Sequence, residues 1–289
     1  MVAEVLRELE PSRGGLFIDC TVGLGGHARA ILEAGASRLI GFDRDPAAIE
    51  AARGALSGFG DRVVLVHADY RRFDAVLNAR GEGKVDGVLA DLGVSSMQLD
   101  APGRGFSFRA DDPLDMRMDT TAGPTAAEML RDVDERTLAD VIYEFGEERH
   151  SRRIARAIVT ARDRAPIQTT GRLADVVRRA LPRKGYMRID PATRTFQAVR
   201  IWVNRELDGL DVFVGDVARR LAGGGRMAVI AFHSLEDRIV KHTLRALQQE
   251  DFGLRIRTKR PVVPEEAEIA RNPRSRSAKL RAARRRAEP

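Results

Sequence analysis

The segment that most constrains the fold is Phe17–His27, in which a short apolar run ends in an acid and enters a glycine-rich turn. Apolar residues then follow with helical spacing at Ala28, Ile31 and Leu32. Glycine permits positive φ and a close approach of the backbone to a ligand, and the free N–H groups at the start of a helix point toward the same place. The segment therefore predicts a strand, a tight loop and a helix arranged around a cofactor.

The glycine spacing alone does not identify that cofactor. The pattern Gly23-x-Gly25-x-x-Ala28 also satisfies the relaxed dinucleotide fingerprint, and a glycine turn can simply pack a helix on a strand. Asp19 favours S-adenosylmethionine (SAM), because dinucleotide-binding strands usually run apolar into the first glycine. SAM methyltransferases, in contrast, tend to place a carboxylate near the cationic methionine amine. All three interpretations stay open at this point.

A second short strand, Arg38–Asp43, also ends in an acid. Its position after the glycine loop is about where a ribose-binding carboxylate is expected, so Asp43 is predicted to hold the ribose hydroxyls. Asp43 could instead cap the helix that begins at Pro46, but Asp45 is better placed as that cap.

Two further strands are predicted to end at the same crevice, because ligands in open parallel sheets bind beyond the carboxyl ends of the strands. Arg62–His67 is followed by Tyr70, whose ring offers a face to adenine. Val85–Asp91 ends in another acid, Asp91, at a position that suits the reacting group.

The alternation of strands and helices stops between about Gly103 and Thr195. Four helices are predicted there: Ala126–Leu130, Glu135–Phe145, Arg152–Arg164 and Leu173–Leu181. A stretch of this length is too long for a loop and predicts an inserted helical domain. The expected organisation is a core of residues 1–103 and 196–289 with an insert of residues 104–195, in which the core binds the cofactor and the insert recognises the substrate.

The alternation then resumes. The pattern predicts a helix over Gln197–Leu221, a turn at Gly223–Gly225, a strand over Arg226–Phe232, a helix over Ile239–Leu247 and a strand over Leu254–Lys259. We expect the last strand to be antiparallel and to pair near residues 226–232.

The net charge of +7 is concentrated at the C-terminal end, where residues 271–289 hold eight arginines or lysines and one glutamate. We expect this segment to bind RNA through its phosphates and also to stabilise the fold, because Asn272–Arg281 packs on the core and only Arg284–Arg286 stay free. Alternatively, the whole segment is a basic tail that only binds RNA.

Other features limit the function classes. A single cysteine, Cys20, indicates a reducing compartment. The five histidines show no metal-binding spacing, so no metal site is expected. No apolar run approaches the ~18 residues of a membrane span, and the charged N-terminal helix does not resemble a signal peptide. We therefore expect a soluble cytoplasmic protein that does not bind a membrane.

Long strings with few wildcards extend through nearly the whole chain. Besides the glycine loop they are Gly41–Pro46, Asp91–Asp100, Arg104–Phe108, Pro113–Asp119, Gly146–Arg149, Arg194–Ile201, Phe232–Lys241 and Asn272–Arg281. Together they resemble the ribosomal RNA small-subunit methyltransferase H family, also called MraW. The resemblance implies an α/β fold, a class I SAM-methyltransferase Rossmann-like sheet with an inserted helical domain.

The resemblance also implies an activity and a site. The activity is transfer of a methyl group from SAM to N4 of a cytidine in the decoding region of 16S rRNA, within the small ribosomal subunit. The implied SAM contacts are Gly25, Gly26, His27, Asp43, Tyr70, Asp91 and Gln98.

Cytosine N4 is a poor nucleophile because its lone pair is delocalised into the ring, so a hydrogen-bond acceptor on the amine would assist. We expect Asp91, or the backbone carbonyl of Leu92, to be that acceptor; alternatively, Asp91 only binds SAM. Phe106 and Phe108 are expected either to stack on the flipped-out base or to lie in the core of the insert. His233 and Ser234 are further substrate-binding candidates, placed by the family string Phe232–Lys241 at the end of a predicted strand.

Two other classes of protein stay open. One is a non-catalytic RNA-binding or ribosome-assembly module that keeps a Rossmann-like core, and the other is a nicotinamide-dependent Rossmann enzyme. The acids at the three strand ends, Asp19, Asp43 and Asp91, count against the module.

Overall fold

The computed structural model describes residues 1–182, 190–250 and 253–287, and the chain divides into two compact units. The first unit comprises residues 1–93 and 207–289, and the second comprises residues 94–206. The second unit is therefore longer at both ends than the predicted insert. At its C-terminal end the physical reason is the helix Thr193–Asn204, which places Phe196 and Val199 in the core of the second unit.

The elements follow one another closely along the chain. The strands are β1 Leu16–Asp19, β2 Arg38–Asp43, β3 Val63–His67, β4 Val85–Asp91, β5 Leu221–Ala231, β6 Leu254–Ile256 and β7 Lys279–Arg285. The α-helices are α1 Val2–Leu9, α2 Gly26–Glu33, α3 Pro46–Leu56, α4 Phe73–Ala79, α5 Ser96–Asp100, α6 Ala126–Asp132, α7 Glu135–Gly146, α8 Ser151–Arg164, α9 Thr170–Ala180, α10 Thr193–Asn204, α11 Leu210–Arg220, α12 Ser234–Gln249 and α13 Glu266–Arg271. Short 3-10 helices cover Pro11–Arg13, Ser57–Arg62, Tyr70–Arg72 and Pro273–Ser277.

The first unit is built on a seven-stranded sheet in the order β3-β2-β1-β4-β5-β7-β6. Strands β1 to β5 are parallel, so their carboxyl ends meet at one edge, whereas β7 is antiparallel to both β5 and β6. Apolar residues of the parallel strands alternate between two clusters. Ile18 and Ile40 belong to one cluster, and Phe17 and Leu39 belong to the other, so both faces of the sheet are covered.

The C-terminal basic segment is not a tail. Lys279–Arg285 forms β7 inside the sheet, and the N–H of Arg286 donates to the Gly253 carbonyl at 2.7 Å, so the expectation that Arg284–Arg286 are free is wrong. The expectation that Asn272–Arg281 packs on the core is confirmed by the burial of Ser275, Ala278 and Arg281. The predicted late strand pairs with β7 and not with residues 226–232. Apolar Leu280 and small Ala282 and Ala283 are fully buried, which gives the strand a core-facing surface in spite of its arginines.

Two further expectations about this half of the chain are corrected. The predicted helix Gln197–Leu221 is two helices, because Arg205 and Gly209 adopt positive φ of 50° and 65° between α10 and α11. The predicted Gly223–Gly225 turn lies within β5, where the pairing with β4 shifts register between Val85 and Gly87.

The second unit is helical and has its own core. Its helices α6, α7, α8 and α9 lie within a few residues of the four predicted ones. Leu138, Ile142, Ile154 and Leu173 are fully buried there. Within the described part of the chain, no helix is both long and apolar enough to cross a membrane.

Candidate active site

The glycine loop between β1 and α2 is shaped by two glycines with positive φ. The φ angle is 51° at Gly23 and 82° at Gly25, in the left-handed region that favours glycine. A Cβ on Gly25 would come within 3.2 Å of the Leu56 side chain. Gly25 is also the N-cap of α2 and offers no capping side chain, so the first turn, which includes Gly26 and His27, presents N–H groups that a ligand can use.

Three carboxylates lie at the carboxyl ends of neighbouring strands, since Asp19 ends β1, Asp43 ends β2 and Asp91 ends β4. Asp43 accepts hydrogen bonds from two backbone N–H groups, including that of Gly23 at 2.9 Å. Asp19 accepts one from the N–H of Thr21 at 3.1 Å, and the Thr21 hydroxyl accepts one from the N–H of Asp91 at 2.7 Å. The glycine loop thus links all three acids at one edge of the sheet.

The prediction that Asp45, and not Asp43, caps the helix beginning at Pro46 is confirmed. Asp45 is the N-cap of α3, and its carboxylate accepts a hydrogen bond from the N–H of Ala47 at 3.0 Å. Asp43 is therefore not needed as the cap of the helix that begins at Pro46.

Burial disfavours the ionised forms of these acids. Burial raises the pKa of Asp19 to about 7, and repulsion from Asp91 and Asp43 adds to the shift. Burial also raises the pKa of Asp91 to about 7, with a further contribution from Glu236, and it raises the pKa of Asp43. Asp19 Oδ2 and Asp91 Oδ1 are buried without a hydrogen-bond partner among the described residues. A cation bound at this edge would stabilise the carboxylates, whereas an anion would be repelled.

His27 lies beside Asp91, with its Nδ1 3.4 Å from Asp91 Oδ2. Burial lowers the pKa of His27 to about 4, so the imidazole is neutral at pH 7. A neutral ring can donate its Nδ1–H to the carboxylate without neutralising it. His27 can therefore orient Asp91 and leave its negative charge available to a ligand.

Tyr70 follows β3 at the same edge of the sheet. Its ring is half-buried and packs edge-to-face against Phe213, with ring centroids 4.6 Å apart. Burial raises the pKa of Tyr70 further above its usual range, so the phenol stays neutral. The packing fixes the ring in one orientation, as a stacking partner would require, and the contact with adenine stays a prediction.

His233 and Ser234 lie where β5 leads into α12. His233 is the N-cap, since its Nδ1 accepts a hydrogen bond from the N–H of Glu236 at 3.4 Å. Glu236 in turn accepts the N–H groups of Phe232 at 2.9 Å and His233 at 3.4 Å. This capping box gives His233 a structural role. The substrate contacts of His233 and Ser234 stay predictions.

Three predicted residues belong to the second unit. Gln98 is buried and completes a capping box at the start of α5, where its Oε1 accepts the N–H of Ser95 at 3.0 Å. Phe106 lies in the core of this unit with 8% of its surface exposed, and Phe108 packs edge-to-face against Phe196 with centroids 4.6 Å apart. Both phenylalanine rings pack inside the unit, as the alternative to base stacking predicted. Stacking of these rings on a base stays a prediction, as does the contact of Gln98 with SAM.

Two contributors at the sheet edge were missed from the sequence. Thr21 holds the backbone of Asp91 through its hydroxyl, which no local pattern indicates because the two residues are far apart in the chain. Glu236 is only 2% exposed and fixes the turn after β5. The role of Glu236 could have been predicted from the sequence, since a glutamate three residues after a possible N-cap is typical of a capping box.

The strand order with an antiparallel β7, together with a glycine loop that links carboxylates at the strand ends, defines the class I SAM-methyltransferase fold that the sequence predicted. The chain belongs to the MraW methylase family, whose model matches residues 1–286. The family resemblance drawn from the sequence is thus confirmed.

Individual relatives cover almost the same length. The chain is 51% identical to a protein named Ribosomal RNA small subunit methyltransferase H from Sorangium cellulosum, over 98% of this chain and 88% of that protein. Proteins of the same name from Nitrobacter winogradskyi and Synechococcus elongatus are 50% and 51% identical, over 98% of this chain and 88% and 92% of theirs.

Proposed function

We propose that the protein transfers a methyl group from SAM to N4 of a cytidine in the decoding region of 16S rRNA. The observation that carries the cofactor assignment is the set of three carboxylates linked by the glycine loop, whose pKa values burial raises. SAM carries a sulfonium and an ammonium group, which are the charges that this edge favours. When bound, SAM supplies an electrophilic methyl group for in-line attack by a nitrogen.

The residues present fit such a cofactor. Asp19 lies where a carboxylate can attract the methionine ammonium, and Asp43, held in place by two backbone N–H groups, can accept the ribose hydroxyls. Tyr70 offers a fixed ring to adenine. The remaining residues proposed to contact SAM are Gly25, Gly26, His27, Asp91 and Gln98.

Asp91 is proposed to accept the hydrogen bond of the reacting amine and then its proton. Its pKa of about 7 makes it a stronger base than an ordinary carboxylate, and its Oδ1 makes no hydrogen bond within the described residues. Neutral His27 would hold the other oxygen, Oδ2. The backbone carbonyl of Leu92 is the second candidate for the acceptor, in which case Asp91 would serve SAM binding alone.

The nucleic-acid substrate is proposed from the relatives, which are named as methyltransferases of small-subunit ribosomal RNA. We assign the recognition of that rRNA to the second unit, residues 94–206, and the cofactor to the first. Modification of 16S rRNA within small ribosomal subunits would place the protein in the cytoplasm.

Calorimetric titration with SAM and with NAD tests the cofactor. The enzyme proposed here binds SAM and not NAD, because the buried Asp19 and Asp91 favour the positively charged methionine end of SAM, which NAD lacks. A nicotinamide enzyme would bind only NAD, and a non-catalytic module would bind neither.

Methyl transfer tests the substrate. Small subunits that lack the modification are incubated with labelled SAM and their nucleosides are separated, with free 16S rRNA in a parallel reaction. Label in N4-methylcytidine is the expected result. Label in another nucleoside would contradict the proposed site, and no label at all with tight SAM binding would contradict the proposed substrate.

A further inference from the structure

Three arginines lie directly opposite one another across three neighbouring antiparallel strands. Arg226 of β5 is in register with Arg284 of β7, and Arg284 is in register with Arg255 of β6. Residues in direct register share one face of the sheet, with Cβ atoms about 4.5–5.5 Å apart. Like charges in this arrangement destabilise a sheet, so the row of Arg226, Arg284 and Arg255 requires negative charge beside it.

Of the three arginines in this row, only Arg226 is paired with a carboxylate of a described residue. Arg226 is 4% exposed and forms an ion pair with Glu10, with Arg226 Nη2 2.5 Å from Glu10 Oε2. Arg255 and Arg284, in contrast, have no ion pair with any described residue. The Nε atoms of Arg226 and Arg284 are both buried and have no hydrogen-bond partner in the described ranges.

A fourth arginine approaches the row from outside the sheet. Arg13 Nη2 and Arg284 Nη2 lie 3.4 Å and 3.6 Å from the position that a Cβ on Gly224 would occupy. The two nitrogens are therefore at most about 7 Å apart, a span that one oxyanion can bridge with charge-assisted hydrogen bonds of ~2.8 Å to each side. Gly224 has a φ of 80°, which favours glycine, and without a Cβ the space between the two guanidinium groups stays open.

This cluster is distinct from the candidate active site. Arg226 lies opposite Gly87 of β4, whereas Ile230 lies opposite Asp91, so the row is four residues of β5 away from the carboxylate edge. Four strand residues span about 13 Å. The end of the sheet with the three carboxylates therefore favours a bound cation. The opposite end, with the arginine row, carries positive charge that no neighbouring carboxylate in the described ranges neutralises.

We propose that Arg13 and Arg284, which lie on either side of Gly224, bind a phosphate group at this end of the sheet. Arg255, in register with Arg284, adds a third positive charge beside them. Guanidinium groups match the geometry of phosphate oxygens, and a phosphate between them supplies the negative charge that the row lacks. The phosphate can belong to an RNA backbone or be free in solution, and the experiment separates these two sources.

Thermal unfolding of the full chain tests the site. Phosphate replaces chloride at constant ionic strength and pH, and the melting temperature of the unmodified protein is expected to rise by about 2–4 °C. Arg284→Gln and the exposed Arg255→Gln should each lose most of that rise. Arg260→Gln removes an equal charge from an exposed arginine outside the row and should keep it.

A second readout distinguishes a binding site from a purely structural row. Without phosphate and at low salt, Arg284→Gln should melt no lower than the unmodified protein, because the substitution relieves the repulsion from Arg226 and Arg255. Equal responses to phosphate in Arg284→Gln, Arg255→Gln and Arg260→Gln would overturn the proposal, as would no response in the unmodified protein.

Binding of a labelled oligouridylate at several salt concentrations identifies the source of the phosphate. If it comes from RNA, Arg284→Gln lowers the slope of log affinity on log salt by about 0.7, and Arg260→Gln does not. An unchanged slope with a retained phosphate response assigns the site to free phosphate. Neither measurement needs SAM or methyl transfer, so failure of the proposed function leaves this inference separately testable.

Discussion

Asp43 shows how one residue at the sheet edge is prepared for a ligand. Each of its oxygens accepts a backbone hydrogen bond, from Gly23 and Asp45, at 2.9 Å in both cases. The carboxylate is therefore held in one orientation by the loop that it is predicted to serve. Preorganisation of this kind lowers the entropic cost of binding.

Asp43→Asn should weaken SAM binding by about 1–3 kcal/mol, because the amide keeps the shape but loses the charge and one of the two acceptors. Calorimetric titration measures the change. Asp61→Asn is the matched control, since Asp61 is an exposed acid, and it should leave the dissociation constant unchanged. An unaltered affinity in Asp43→Asn would remove the ribose assignment.

The raised pKa of Asp19 should make the stability of the protein depend on pH. Its pKa is about 7 in the folded protein but about 3.9 in an unfolded chain, so the native state holds the extra proton between these values. The stability that this contributes is fully present below pH ~4 and is lost as the pH rises through ~7. From pH 5 to pH 8, Asp19→Asn should therefore gain on the order of 2–3 kcal/mol relative to the unmodified protein.

Urea unfolding of the ligand-free proteins at pH 5, 6, 7 and 8 measures this difference. Asp61→Asn serves again as the control and should show no comparable trend. A stability difference that stays constant across the series would mean that Asp19 is ionised throughout.

His233→Asn separates the capping role of His233 from its predicted substrate contact. Asparagine is a good N-cap, so the variant should melt near the unmodified protein, whereas His233→Leu should lose about 1 kcal/mol. A substrate contact would then appear in His233→Asn as a raised KM for small subunits, which is the expected result. An unchanged KM would leave His233 only its place in the capping box.

At the scale of elements, strands that end in an acid could be predicted from the sequence. The bounds of β2 and β4 agree with the predicted strands because an apolar run and its terminal aspartate are local signals. Pairing partners are not local, and β7 was missed because its arginines resemble a solvated tail. Arg281 is buried there only because Asp237 on α12 pairs with it, at 2.6 Å between Arg281 Nε and Asp237 Oδ1.

The position of β7 leads to a prediction opposite to that for a flexible tail. Ending the chain after Ala278 removes a strand that pairs with both β5 and β6 and that buries Leu280, Ala282 and Ala283. This truncated protein should fail to fold, which circular dichroism and SAM titration would detect. Ending the chain after Ala287 keeps β7 and is the control. A cooperative unfolding transition near that of the full chain in the shorter protein would contradict the structural role of β7.

At the scale of the molecule, the sequence indicated two units because a helical pattern of nearly a hundred residues interrupts the strands. It placed the C-terminal boundary inside α10, because the apolar positions of that helix do not reveal which core they enter. For the candidate site, too, local features could be predicted from the sequence and contacts between distant residues could not. The acids could be recognised at strand ends, whereas the contact between Thr21 and Asp91 depends on the folded sheet.

The two units are expected to fold independently of each other. The first unit has two apolar clusters of its own, one on each face of the sheet, and the second unit has a third. Replacing residues 94–206 by a flexible glycine–serine linker should therefore leave a folded first unit, with the three acids and the glycine loop in place. It should still bind SAM, more weakly if Gln98 contributes, but it should not methylate small subunits because the proposed rRNA-binding unit is gone. Retained methylation would contradict the substrate role of the second unit, and loss of cooperative unfolding would contradict the independence of the first.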